Sequence, residues 1–360
     1  MPVQETYMST EKLNLAIAGG GLAGRLLAWR ASQSGHKVTL YEKSNDASQD
    51  RSAAWSAAAM ISPMTEVVVS EKRIYDLGIE SLMLWKRWLK DDPAFDNIFH
   101  HKGSLVVAHP QDENELEQFA KELNYHLGSL NEALWLQRKD IAELEPDIAE
   151  HFDRGLYLPN EAHLDNRALL TRLNHYLEDK IQIQRDAHIE LKETPRVNGE
   201  MMPHFDLLFD CRGTGGKESN QSVRGVRGEI IHVETPEVKL SRPVRLMHPR
   251  YKLYVVPKPN NQFVLGATEI ESEDSSPVSV KSTLELCSAL YTISPAFSEA
   301  RILELDANLR PSLPDNLPCI EHSQILSAEG RTQDIVSING LYRHGFLIAP
   351  ALINQALSTL

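Results

Sequence analysis

One run near the amino terminus constrains this chain more than any other: Leu13-Asn14-Leu15-Ala16-Ile17-Ala18-Gly19-Gly20-Gly21-Leu22-Ala23-Gly24. An apolar strand leads straight into Gly19-x-Gly21-x-x-Gly24. Arg25 to Ala31 continues as a good helix, Gly35 stops it, and Val38-Thr39-Leu40-Tyr41-Glu42 reads as a second strand ending in an acid. In such a βαβ unit Gly19 permits the tight turn, Gly21 lets backbone approach a pyrophosphate, and Gly24 lets helix and strand pack closely. The helix start offers unpaired N–H groups and a positive dipole end to phosphate. Glu42 follows Gly24 by 18 residues, close to the ~20 at which an acid grips a ribose hydroxyl. A glutamate there favours an unphosphorylated ribose, hence FAD or NAD over NADP. The motif alone does not choose between those two.

The 360 residues allow a large core and suggest two domains. A formal charge of −13 argues against nucleic acid or an anionic membrane surface as partner. No apolar run approaches the ~20 residues of a membrane helix. Cys211, Cys287 and Cys319 are far apart and lack a CxxC spacing, which suggests reduced thiols and a cytoplasmic protein. The histidines lack ligand spacing, so no metal is expected. The polar start of the chain, residues 1–10, reads as a flexible tail.

Further along, the stretch from Ala53 to Pro63 is rich in small residues, which let a flat ligand approach the backbone; an Ala-rich helix start is the plain alternative. Residues 71–90 carry apolar side chains at helical spacing. The run from Phe205 to Gly213 is a buried strand entering a second glycine turn, with Gly215 and Gly216 beyond it. From Arg224 the pattern changes. Residues 253–257 and 262–268 form a hairpin, so an antiparallel sheet is expected there. A helix follows over 280–293. The chain returns to α/β character with a strand at 334–338, a loop carrying Arg343-His344-Gly345, and a helix with Pro350 near its first turn. That junction offers N–H donors and positive charge together, suited to an anionic ring; a capped C-terminal helix is the alternative.

Several stretches together resemble the D-amino-acid-oxidase-type flavoproteins, and within them the glycine oxidases of the thiamine pathway. They are residues 19–42, Trp55-Ser56-Ala57-Ala58-Ala59-Met60-Ile61-Ser62-Pro63, residues 224–229, residues 248–257, Val264-Leu265-Gly266-Ala267-Thr268-Glu269, Asn308-Leu309-Arg310-Pro311, and residues 340–350. They span nearly the whole chain in family order, and the resemblance selects FAD. It implies a Rossmann-like FAD-binding domain (11–92, 153–224 and 311–360) interleaved with an α+β substrate domain built on an antiparallel sheet (93–152 and 225–310). It implies cofactor contacts from Gly19, Gly21, Leu22, Ala23, Gly24, Glu42, Lys43, Ala53, Ala58, Met60, Ile189 and Gly213. At the C-terminal junction it adds Arg343, His344, Gly345, Phe346 and Leu347.

The resemblance also makes Arg310 the residue that holds a substrate carboxylate, with Tyr254 and Arg343 helping to place the substrate. A guanidinium suits a carboxylate through two parallel hydrogen bonds; without the resemblance Arg310 reads equally as a structural ion-pair residue, and Tyr254 as an edge-strand aromatic. Ala59 stands where relatives often carry Gly, and the charges of Glu269 and Lys252 sit near the expected pocket. No cysteine lies next to Arg310, so FAD is expected to be non-covalent. The implied reaction is oxidation of glycine or a similar small amine, giving glyoxylate, ammonia and hydrogen peroxide with molecular oxygen as acceptor. A flavoprotein acting on a partner's side chain and a dehydrogenase using another electron carrier are the alternatives. A homo-oligomer is compatible with the sequence.

Overall fold

The computed structural model describes residues 12–45, 52–90, 92–250, 252–326, 332–358 and 360; the expected tail at 1–10 lies outside them. The chain forms two compact units. The first comprises the described residues of Met1–Trp55, Arg167–Val226 and Arg310–Leu360, the second those of Ser56–Asn166 and Arg227–Leu309.

The first unit is built on a six-stranded sheet in the order Cys319–Leu326, Thr332–Asn339, Leu207–Asp210, Asn14–Ala18, Lys37–Tyr41, Gln182–Gln184. Asn14–Ala18 is central and parallel to both neighbours, with Ile17 opposite Leu40 on one side and Phe209 on the other. Leu15, Ala16, Ile17 and Ala18 are fully buried, as a continuous apolar run in a parallel strand covered on both faces must be. Only Cys319–Leu326 runs antiparallel, and its alternating exposed residues suit an edge. The helix Leu22–Gln33 packs against the C-terminal helix Gly345–Leu357. Pro350 is the sixth residue of that helix, deeper than the first turn the sequence suggested. It thereby removes the N–H that would bond the Phe346 carbonyl.

The second unit carries an eight-stranded sheet in the order Arg301–Ser312, Arg224–Glu234, Gln262–Gly266, Lys252–Lys258, Val244–Met247, Ser104–Val107, Arg154–Leu158, Leu134–Gln137. The expected hairpin is present, with Val255 opposite Leu265. Val244–Met247 and Ser104–Val107 are parallel, whereas the pairs flanking them are antiparallel. Alternation along Ser104–Val107 sends Leu105 and Val107 into one core and Val106 into another. The helix Val280–Ile293 closes the first core with Leu286, Leu290 and Ile293; the helix Glu113–Leu127 closes the second with Leu116, Phe119 and Leu123.

Residues 56–92 and 153–166, grouped by the sequence reading with the nucleotide-binding segments, pack in the second unit up to the residues described. Met60–Ile61 pairs with Ala162–Leu164, which also pairs with Phe99–His100. Met64, Val67 and Tyr75 join the core of Leu116 and Phe119, and Arg154–Leu158 sits inside the eight-stranded sheet. These contacts are long-range and leave no local periodicity to read.

One buried acid titrates near neutrality. Glu161 accepts from the Thr65 N–H at 2.7 Å and from the Ser104 hydroxyl, and it is fully buried. Burial outweighs those bonds and raises its pKa from 4.5 to about 7. Because the folded pKa lies above the unfolded one, the native state binds the proton more tightly. The stabilisation is complete below about pH 4.5 and disappears as pH rises through 7, a span of about 3 kcal/mol. Glu161→Gln mimics the protonated acid. It should leave the melting temperature near wild type at pH 5 and raise it above wild type at pH 8, as differential scanning calorimetry across that range will show.

Candidate active site

Chain segments that leave the parallel sheet of the first unit at its carboxyl edge include Gly19 after Asn14–Ala18, Glu42 after Lys37–Tyr41, Cys211-Arg212-Gly213 after Leu207–Asp210, and Gly340 after Thr332–Asn339. Ligands of open α/β sheets bind outside this edge, beside the central strands. Backbone bonds tie the segments together. Gly19 N–H donates to the Tyr41 carbonyl and Cys211 N–H to the Ala18 carbonyl, both at 2.8 Å. The Asn339 amide donates to the Gly213 carbonyl at 3.0 Å.

The glycine turn is shaped by contact. A β-carbon on Gly24 would lie 1.9 Å from the Gly19 carbonyl oxygen, and one on Gly19 would lie 2.8 Å from the Arg212 Cα. At Gly21, by contrast, the space a side chain would take is open. No side chain caps the helix Leu22–Gln33, whose N-cap is Gly21. The N–H groups of Leu22 and Ala23 therefore begin a helix whose dipole favours an anion at this point. Glu42 accepts from Gly20 N–H at 2.5 Å and from Ser44 N–H at 2.9 Å. Each carboxylate oxygen keeps a further lone pair for a hydroxyl. Lys43 beside it is exposed, and Ala53 lies half-buried in a turn. An open cradle at a glycine, an uncapped helix start and an acid at the next strand fit the pyrophosphate and ribose of a dinucleotide.

The sequence reading missed Arg212, although Asp210-x-Arg212 beside a glycine turn was visible. Its guanidinium grips the Asp210 carboxylate with two bonds of 2.8 Å, both side chains being under 10% exposed. It also donates to the Ile189 carbonyl at 2.7 Å. Ile189, expected near adenine, is thus braced against the turn that carries Gly213. On the C-terminal side, His344 is the N-cap of Gly345–Leu357 without a side-chain cap bond, and Gly345 lies over Leu22. Arg343 is half-buried, His344, Phe346 and Leu347 are buried, and Arg343 Nε lies 3.4 Å from His344 Nε2. Arg310 is half-buried in the strand Arg301–Ser312.

In the second unit, Ala58 forms one apolar cluster with Ile230, Val256 and Val264, and Met60, Tyr254 and Ala267 pack against it. Three residues scattered over some 200 positions (Ala58, Met60 and Tyr254) are brought together here. Tyr254 is not an edge residue, since Lys252–Lys258 lies between two other strands. Its ring crosses Gly266, where a β-carbon would lie 2.6 Å from the hydroxyl oxygen. Ala59 has φ +56°, the left-handed region that glycine enters without steric cost and other residues rarely adopt. The Ala-rich stretch is turn and extended chain, not helix, up to Met60–Ile61.

Across the short sheet Met60 faces His163, which faces His100. The two imidazoles stack with centroids 4.9 Å apart. Burial, then the charges of Lys258, His100 and Lys102, hold the His163 pKa well below its usual value. His163 is therefore neutral at pH 7. Glu269 is exposed; the Lys252 side chain lies outside the described residues. Among the described residues no group of three or more His, Cys, Asp or Glu could hold a metal ion, and no helix is long and apolar enough to cross a membrane.

Comparison with known proteins places these features in context. The model of the FAD dependent oxidoreductase family, DAO, matches residues 14–353. The Rhizobium etli protein named as the thiamine biosynthesis oxidoreductase ThiO is 38% identical over 343 residues, 95% of each chain. The crystal structure of glycine oxidase from Geobacillus kaustophilus matches with a TM-score of 0.78 at 22% identity, covering 97% of this chain and 95% of its own. That of iminodiacetate oxidase from Chelativorans sp. BNC1 also gives 0.78, at 19% identity over 94% and 93%.

Two glycine substitutions test the two units separately. Gly24→Ala forces helix and strand apart and should weaken FAD binding by roughly tenfold or more, the effect of about 1.4 kcal/mol or more, measured by quenching of flavin fluorescence. Gly266→Ala pushes only the Tyr254 ring aside. It should keep FAD affinity while raising the KM for an amine substrate, and an unchanged KM would remove Tyr254 from the substrate site.

Proposed function

This chain belongs to the FAD-dependent oxidoreductase family, and we propose that within it the protein oxidises glycine or a similarly small amino acid. The reading rests on the cluster of Ala58, Met60, Tyr254 and Ala267, in which one phenolic hydroxyl stands among apolar side chains otherwise no longer than methionine. Such a cluster suits a substrate with almost no side chain, whose recognition falls on its carboxylate and amine. The 38% identity to a ThiO protein over 95% of the chain supports the same reading, and with it a place in the supply of the thiazole part of thiamine.

In this reading the carboxyl edge of the parallel sheet holds FAD non-covalently. Gly19, Gly21, Leu22, Ala23 and Gly24 take the pyrophosphate, while Glu42, Lys43 and Ile189 take the adenosine end. Ala53, Ala58, Met60 and Gly213 line the cofactor further along, and Arg343 with the backbone of residues 344–347 meets the ring. The described residues of Met1–Trp55, Arg167–Val226 and Arg310–Leu360 form the FAD-binding part and the second unit the substrate part. FAD, when bound, supplies a two-electron acceptor for hydride from the substrate α-carbon and passes the electrons to oxygen, yielding hydrogen peroxide.

The protein's own residues bind and orient. Arg310 clamps the carboxylate with two parallel hydrogen bonds. Tyr254 and Arg343 fix its rotation, so that the α-carbon is held in a reactive position; such orientation is the main catalytic contribution of a cofactor enzyme's protein. Binding the neutral amine removes the need for a strong base. The imine product then hydrolyses to glyoxylate and ammonia.

Mixing the yellow protein anaerobically with glycine, sarcosine and D-alanine tests the reading. At least one should bleach the flavin band, and admitting oxygen should restore it with release of peroxide. If none bleaches it, the amine oxidase reading falls. Arg310→Ala should raise KM by roughly 30-fold or more, the cost of truncating one partner of a buried charge pair, with FAD still bound.

A further inference from the structure

We propose that Lys258 is a positioning residue that holds the Ala58–Ala59–Met60 arch in the shape the flavin requires, an inference that rests on the reading that this arch lines the cofactor. Lys258 closes the strand Lys252–Lys258. Its Nζ donates to the Ala58 carbonyl at 2.9 Å, to the Leu164 carbonyl at 2.5 Å and to the Asn166 side-chain oxygen at 3.2 Å. An ammonium has three N–H donors and no acceptor. Three oxygens converge on it.

The arch is held by strand pairing at Met60, by apolar packing of Ala58 and by polar groups from distant residues. Its side chains before Met60 are alanines, which pack but offer no polar grip. Ala59 sits in the left-handed region at φ +56°, a conformation that an L residue keeps only when its surroundings impose it. Ala58 and Ala59 are 4% and 3% exposed, so their polar backbone needs partners within the protein. Those partners form a series along the chain. The Asn308 amide donates to the Ser56 hydroxyl at 3.1 Å, Lys258 to the Ala58 carbonyl, and Leu164 N–H to the Ala59 carbonyl at 3.0 Å. Lys258 also grips the strand Ala162–Leu164, through the Leu164 carbonyl. It thereby locks arch and strand in one register. The sequence reading took Lys258 for a hairpin-turn residue, because nothing local links it to positions 58, 164 and 166.

The test uses the full-length holoprotein carrying Lys258→Met, which keeps the stem and removes the charge and all three donors. FAD affinity, followed by flavin fluorescence, should weaken roughly tenfold or more, as expected when charge-assisted bonds to buried oxygens are lost. The visible flavin bands should shift, and the rate of anaerobic reduction by the best amine should fall more than its KM rises. If Lys258 serves folding alone, the apoprotein melting temperature drops while the bands and the limiting reduction rate of the FAD-saturated variant stay at wild type; that result overturns the proposal. Asn166→Ala removes one acceptor and leaves the charge in place. It should move the same bands in the same direction by less, and it decides the question if Lys258→Met does not fold. Unmoved bands in Asn166→Ala would then reject the proposal. FAD affinity and spectrum need no substrate. A protein that binds FAD but that no amine reduces would sink the oxidase reading and leave the Lys258 result standing.

Discussion

The nucleotide-binding half of this protein depends on how closely two backbones meet at the glycine turn. With a β-carbon position at Gly24 only 1.9 Å from the Gly19 carbonyl oxygen, no side chain fits without moving the helix Leu22–Gln33 off the central strand. That contact sets where the helix begins and where its uncapped N–H groups point. It also lets the Arg212 backbone pass against Gly19. The Asp210–Arg212 pair then reaches Ile189, so one steric constraint organises most of the carboxyl edge. Both carboxylate oxygens accept from the guanidinium, and such pairing is how a buried charge is made tolerable.

The second unit solves a different problem. It must present a short, small-residue arch whose backbone is strained and whose alanines offer no polar anchor. The arch is held in part by polar groups delivered from distant strands: Lys258, Leu164 and Asn308. Beneath it, His163 and His100 are stacked and kept neutral by burial and nearby cations. A little further along, Glu161 ties Thr65 to Ser104 and remains protonated through mildly acidic pH. The Lys258 ammonium, for its part, is held by oxygens from positions 58, 164 and 166.

Much of the fold was legible because its signals are local. The fingerprint from Leu13 to Glu42, the hairpin about residues 258–261 and the helix Val280–Ile293 each follow from periodicity and turn chemistry within a few residues. The edge strand Cys319–Leu326 was not read, since alternating polar residues carry little strand signal until Thr332–Asn339 pairs with them. Segment membership was harder still. Residues 56–92 and 153–166 join the second unit through pairings over about 100 positions, up to the residues described. Arg212 and Lys258 escaped for the same reason: an arginine after a strand and a lysine at a turn look ordinary until their acceptors arrive.

By itself the sequence determined the local chemistry on offer: a dinucleotide turn closed by an acid and a run of small residues ending in Met60. Strand, glycine and helix signals act over distances the chain spans in a few residues, so no tertiary context was needed. The tertiary structure alone decided what holds those groups still. Three oxygens from positions 58, 164 and 166 meet one ammonium, and a carbonyl at 189 meets one guanidinium. Hydrogen bonds are short-ranged and directional, and such partners are chosen only when strands far apart in the chain come to lie side by side.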